Sequence, residues 1–207
     1  MPALKKTIDP LLAACAKDIR WEFRQLRSRI QLDEVYRLAG ALLNKKPIEW
    51  PRALFELQQG IITKRLLQHL NFHVRKFGFP LAELSFTGEF PAFSLKPLLA
   101  KTNEYRAVIR TARCIEFLGN KIWDQALKPV KKSGIPCKIE IATLTLNTFD
   151  CSHKQQIEAA LTELVRYIQG HLINFFYMWE TLLIRQTEEQ LLVYKADLSL
   201  PVSAAAV

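Results

Sequence analysis

Residues 137–147 read Cys-Lys-Ile-Glu-Ile-Ala-Thr-Leu-Thr-Leu-Asn. β-Branched residues alternate with polar ones along this stretch, the period-two pattern of a half-buried strand, and it is the clearest strand signal in the chain. The apolar phase shifts between Ile141 and Leu144, which places a bulge near Ala142. A lone strand leaves its backbone groups without partners, so the stretch demands a neighbour. Residues 191–200 (LLVYKADLSL) are the first choice and residues 81–86 the second. On this reading the fold class is α+β, mainly helical, with helices packed around a small β-sheet.

On both sides of that stretch the periodicity is helical. Thr7-Ile8-Asp9-Pro10 reads as a helix start, because a capping side chain precedes a proline where the first-turn amide needs no partner. Behind it Leu12, Cys15, Ile19, Phe23, Leu26 and Ile30 recur at three- and four-residue steps. A second series, Leu32, Val35, Tyr36, Ala39, Leu42 and Leu43, stops at Asn44-Lys45-Lys46-Pro47. A third region opens at Trp50-Pro51 and runs to Phe77, with Gly60 as a bend and Gly78-Phe79-Pro80 as its end. Helical spacing returns over 98–128, where Gly119-Asn120 can divide it, and 129–136 form a basic turn. Asp150 or Ser152 caps a long helix over about 153–187, with Gly170 as a candidate break. The punctuated segment between the third region and residue 98 gives a single domain, 1–207, a candidate hinge at 79–97.

The composition agrees with a folded chain: 207 residues, 49% hydrophobic, 24% charged, 7 Gly and 10 Pro. The N-terminus lacks the apolar core of a signal peptide. Cys15, Cys114, Cys137 and Cys151 form no CxxC pair and no dense framework, as expected of reduced thiols in a cytoplasm. Leu172 to Ile184, the longest apolar stretch, falls short of the roughly 20 residues that cross a bilayer.

Candidate chemistry is thin. His69 and His73 are four apart on a helix, so both imidazoles can reach one metal, but no third ligand has recognisable spacing. Cys137, Cys151 and His153 offer soft ligands without the short paired spacings of a structural zinc site. Cys151 at a helix start beside His153 is the arrangement of a thiol nucleophile, without a third group to orient the base. No phosphate-cradling glycine loop, nucleophile elbow or carboxylate pair stands out. The expectation is a protein with no catalytic residue, metal or cofactor.

Charge says more. The net +9 is spread unevenly: 15 Lys and Arg against 7 Asp and Glu in 1–76, 10 against 6 in 77–147, and 4 against 7 in 148–207. Lys17, Arg20, Arg24 and Arg27 follow steps of three and four and so form one stripe on the first helix. Such a stripe is a solvated face or a contact for phosphates, anionic lipid or an acidic peptide. In the C-terminal helix, Phe175, Phe176, Met178 and Trp179 belong to an apolar run that covers most of the circumference, so the helix is central to the fold or covered by another chain. Glu180 then sits among apolar neighbours and needs a cationic or hydrogen-bonding partner. The expected partner-binding residues are Lys17, Arg20, Arg24, Arg27, Phe175, Phe176, Met178 and Trp179. The expected function is a non-catalytic adaptor or chaperone-like subunit. Nucleic-acid binding by the basic N-terminal half is the alternative, disfavoured because the aromatics lie mainly in the acidic third.

The opening MPALKKTIDPLLAACAKDIRWEF and the aromatic FFYMWETLLIR, together with the chain's size, resemble the LvgA-like adaptors of the Dot/Icm type IVB secretion coupling complex. The resemblance rests on whole-chain character rather than a short motif, so it assigns a role to no residue. It implies a cytoplasmic subunit, peripheral to the inner membrane through its partners, that joins the coupling ATPase and the small IcmS and IcmW chaperones and helps present effector proteins for export.

Overall fold

The computed structural model describes residues 2–79, 81, 83–87, 92–106 and 152–199. Its helices are α1 (Pro2–Ser28), α2 (Leu32–Asn44), α3 (Arg52–Gln58), α4 (Ile61–Lys76) and α5 (Ser152–Ser199), and residues 96–106 are helical as well. The chain divides into two units: Met1–Glu34, Trp50–Phe93 and Gln169–Val207 make the first, Val35–Glu49 and Ser94–Ile168 the second.

The mainly helical character stands, but the small β-sheet does not: no described residue is in a strand. Of the two segments expected to pair with 137–147, residues 81 and 83–87 are irregular and 191–199 are the last turns of α5. The stretch 137–147 itself lies outside the described residues, as do 107–136. The reason for the misreading of 191–200 is visible in the packing. Trp179, Leu183, Thr187 and Leu191 are all buried at steps of four, so the core stripe of α5 continues through Thr187. Its hydroxyl donates to the Leu183 carbonyl at 2.8 Å. A threonine satisfied within its own helix can sit in an apolar stripe, and it interrupts the hydrophobic series that a sequence reading follows. A helix also pairs its own backbone, so no neighbouring strand is required. Gly170 does not break α5 either, and a Cβ there would meet no atom within 4 Å.

In the first unit α1 packs against α4, and α3 against α4. The buried stripe of α1 is Ile8, Leu11, Cys15, Ile19, Phe23 and Leu26, each 0% exposed; Leu11, not Leu12, belongs to it. α1 begins at Pro2 and contains Pro10, so the helix runs through the expected cap. Proline inside a helix forgoes one backbone hydrogen bond and costs about 3 kcal/mol, which burial of Ile8 and Leu11 on either side of it offsets at about 1.5–3 kcal/mol per side chain. Gly60 separates α3 from α4 at φ 71°, a left-handed conformation that glycine adopts without strain. Trp50, Phe93, His171, Phe175 and Trp179 form an edge-to-face cluster with centroids 5.1–6.2 Å apart.

In the second unit α2 buries Val35, Leu38, Ala39 and Leu42. Its C-terminal carbonyls are met by Arg106, whose Nη2 and Nε donate to Leu42 O at 2.6 Å and Leu43 O at 3.0 Å. A cation at that end also opposes the negative pole of the helix dipole.

Candidate functional site

The basic stripe of α1 is real but shorter than its sequence spacing implies. Lys17, Arg20 and Arg24 are exposed and make no ion pair among the described residues. Arg27 is turned aside: its Nη1 lies 2.5 Å from Glu180 Oε2, with the two side chains 16% and 13% exposed, and its guanidinium stacks 3.9 Å from the Tyr177 ring centre. This pair supplies the cation that Glu180 needs. Removing Arg27 would leave a largely desolvated carboxylate uncompensated, so Arg27 has a structural job beside the stripe rather than within it.

The sequence reading missed Trp21. It stands four residues after Lys17 and three before Arg24, and its side chain is 59% exposed. Lys17, Asp18, Arg20, Trp21 and Arg24 line an open cleft of about 500 Å³. Helical projection shows why they share a face, since steps of three and four return to the same side of the helix, and the core stripe through Ile19 and Phe23 lies on another. Asp18 bonds across to α4, its Oδ2 2.8 Å from His73 Nε2, which draws the one acidic member of the cleft towards a partner of its own.

The aromatic residues of α5 divide differently from expectation. Phe175 is 7% exposed, Phe176 0% and Trp179 1%, whereas Met178 is 47% and Tyr177 51% exposed. Phe175, Phe176 and Trp179 are therefore core side chains of the first unit, and of the expected binding residues on α5 only Met178 faces outward. Tyr177, through its stacking on Arg27, links the outer face of α5 to the end of the α1 stripe.

No described residues form a group of three or more His, Cys, Asp and Glu able to hold a metal. His69 is exposed, while His73 is engaged with Asp18. Cys137 and Cys151 lie outside the described residues, as does the side chain of His153. Cys15 is fully buried, and burial pushes its thiol up to about 12, which keeps it protonated and shielded from solvent in the folded chain. No helix among the described residues is long and apolar enough to cross a membrane.

The site thus belongs to a class of open surface, a tryptophan set among cations that have no ion pair among the described residues, on a helix face, and not to a pocket with converging chemistry. Family models, curated proteins and solved structures offer no match to this chain.

Proposed function

We propose that this chain is a non-catalytic, protein-binding adaptor subunit whose α1 face docks an acidic segment of a partner. One observation carries the reading: Lys17, Arg20, Trp21 and Arg24 stand together and exposed, their three cations unpaired among the described residues. Tryptophan and arginine are the side chains most often responsible for binding energy at interface centres. The cations steer and orient an acidic partner, and Trp21 supplies apolar area without losing much side-chain freedom.

The resemblance to LvgA-like adaptors extends the proposal. The subunit would work in the cytoplasm at a type IVB coupling complex, with the coupling ATPase and the IcmS and IcmW chaperones as neighbours and effector proteins as cargo. Nucleic acid is the second reading, because an aromatic ring between cations also serves as a stacking platform for single strands. Three cations would give a salt slope of only about −2, which is too shallow to account for tight binding by charge alone.

Affinity capture from native lysate by the wild-type chain and by the Lys17→Glu/Arg20→Glu/Arg24→Glu variant tests the proposal. The adaptor reading expects an acidic protein retained by the first and lost by the second. Recovery of nucleic acid with no stable protein partner would overturn it.

A further inference from the structure

Within the first unit α1 and α5 lie side by side and run in opposite directions. α1 is antiparallel to α4, because Asp18 bonds His73 and, one turn further along α1, Glu22 pairs with Arg65, two turns back along α4. α4 and α5 run the same way. Asn71 and Gln190 hold the adjacent residues Leu84 and Ser85, and further along both helices Phe79, just past α4, packs its ring on Tyr194 with centroids 5.2 Å apart. α1 touches α5 through Arg27, which pairs with Glu180 and lies over the Tyr177 ring. That contact fixes the register. Arg20, seven residues before Arg27, stands about 10.5 Å along from it, and Glu188, eight residues after Glu180, stands about 12 Å along in the same direction. Arg20 and Glu188 are therefore level with each other on neighbouring helices.

The outer faces of these two helices carry opposite charge. Lys17, Arg20 and Arg24 on α1 make no ion pair among the described residues, and neither does Glu188, which is exposed on α5. Glu189 beside it has the exposed Arg185 at 2.7 Å, a pair worth little in water. Large apolar side chains stand out on the same helices: Trp21 on α1, and Tyr177, Met178 and Leu192 on α5, the last 48% exposed. Leu192 follows Glu188 by one turn and shares its side of α5. Apolar surface of that extent, rimmed by charge, marks a docking surface.

Opposite charges at one level on neighbouring antiparallel helices make the face complementary to itself. A two-fold axis along the seam between α1 and α5 lays α1 of one copy on α5 of the other and keeps every residue at its own level. Arg20 then meets Glu188 of the second copy, and Glu188 meets Arg20 in return, as an isologous contact requires. Trp21, about 9 Å along from Arg27, comes opposite Arg185 of the second copy, about 7.5 Å along from Glu180. Arg185 has its charge met by Glu189, and its guanidinium can lie on the indole face. We propose that the chain pairs with a second copy of itself through this α1–α5 face. The inference rests on the reading of the α1 face as a docking surface and gives that face a first occupant. Pairing covers Trp21, so an acidic partner must displace the second copy in order to bind.

Sedimentation equilibrium of the full-length chain over a range of concentrations tests the proposal. The average mass should rise from that of one chain towards that of two, and high salt should lower it by screening the charge contacts. Arg20→Glu alone and Glu188→Lys alone should each weaken pairing at least about tenfold, because like charges then meet at both symmetric contacts. Arg20→Glu combined with Glu188→Lys reverses both sides and should bring the dissociation constant back to within about threefold of the wild type. Both positions are exposed, so these variants keep the fold. A wild type that stays single up to about 1 mM, or a combined variant that pairs no more tightly than the single ones, overturns the proposal. Glu188→Lys leaves the α1 cations in place, so the two readings separate. Capture of an acidic protein by the wild type and by Glu188→Lys, without pairing of the wild type, would remove this inference and leave the adaptor reading standing.

Discussion

At the scale of single residues, two helix ends show the same physics with different side chains. α4 ends with Gly78 at φ 65°, where Phe79 N–H bonds Val74 O at 3.0 Å and Gly78 N–H bonds Arg75 O at 2.9 Å. α2 ends with Lys45 at φ 53°, where Lys46 N–H bonds Ala41 O at 2.9 Å. Both are Schellman caps, which need one left-handed residue. Lysine is strained there and glycine is not, so Lys45→Gly should raise unfolding free energy by about 0.5–1 kcal/mol. Gly78→Ala should lower it by about 1 kcal/mol, the space around Gly78 being open. Chemical denaturation of the two variants checks both signs. The glycine cap was legible in Gly78-Phe79-Pro80; the lysine cap was not, because nothing in Asn-Lys-Lys-Pro marks which residue takes the positive φ. Cys15 gives a pH prediction. Its folded-state value is raised from 9.0 to about 12, so below pH 9 both states hold the proton and stability is unaffected. As pH rises from 9 towards 12 the unfolded chain ionises first and stability falls. The wild type should therefore lose stability across that window faster than Cys15→Ala, and the native thiol should resist alkylation until the chain unfolds.

At the scale of elements, the inner and outer faces of α5 predict opposite responses to mutation. Trp179→Ala removes a fully buried side chain from the aromatic cluster and should cost about 3–5 kcal/mol. Met178→Ala, one residue earlier and half exposed, should change stability by less than about 0.5 kcal/mol. Thermal melts of the pair test whether the helix is sided, as the structure has it, or apolar all round, as its composition reads. The core stripe of α1 was legible because Cys15, Ile19, Phe23 and Leu26 keep strict helical steps. Three element readings failed for physical reasons. Pro10 reads as a start although it is tolerated between two buried anchors. The long helix reads as ending at about 187 although it runs to Ser199 and the Thr187 hydroxyl is satisfied within it. The alternation of LLVYKADLSL reads as a strand although Leu191 completes a four-step series from Trp179. The carboxamides of Asn71, Gln190 and Gln186, which bond the main chain of Leu84, Ser85 and Thr87 respectively, had no sequence signature at all, since an amide bonded to main chain leaves no requirement on the side chain of the residue it holds.

At the scale of the whole molecule, net charge proved a weaker guide than the placement of individual cations. Of the four cations read as one stripe, Arg27 neutralises Glu180, and its role became visible only when α1 and α5 were seen together. Lys17, Arg20 and Arg24 keep their charge unpaired among the described residues, and the tryptophan between them was present in the sequence for anyone projecting α1 as a helix. The aromatic run of α5 drew attention because it was dense, but density there reflects the core of the first unit. The central claim is that Trp21 and its neighbouring cations bind a protein partner, and the dissociation constant of the captured complex for wild type and Trp21→Ala tests it most directly. The account predicts weakening of about 30-fold, the effect of losing about 2 kcal/mol at an interface centre, with an unchanged melting temperature. An unchanged dissociation constant for a folded Trp21→Ala variant would contradict it.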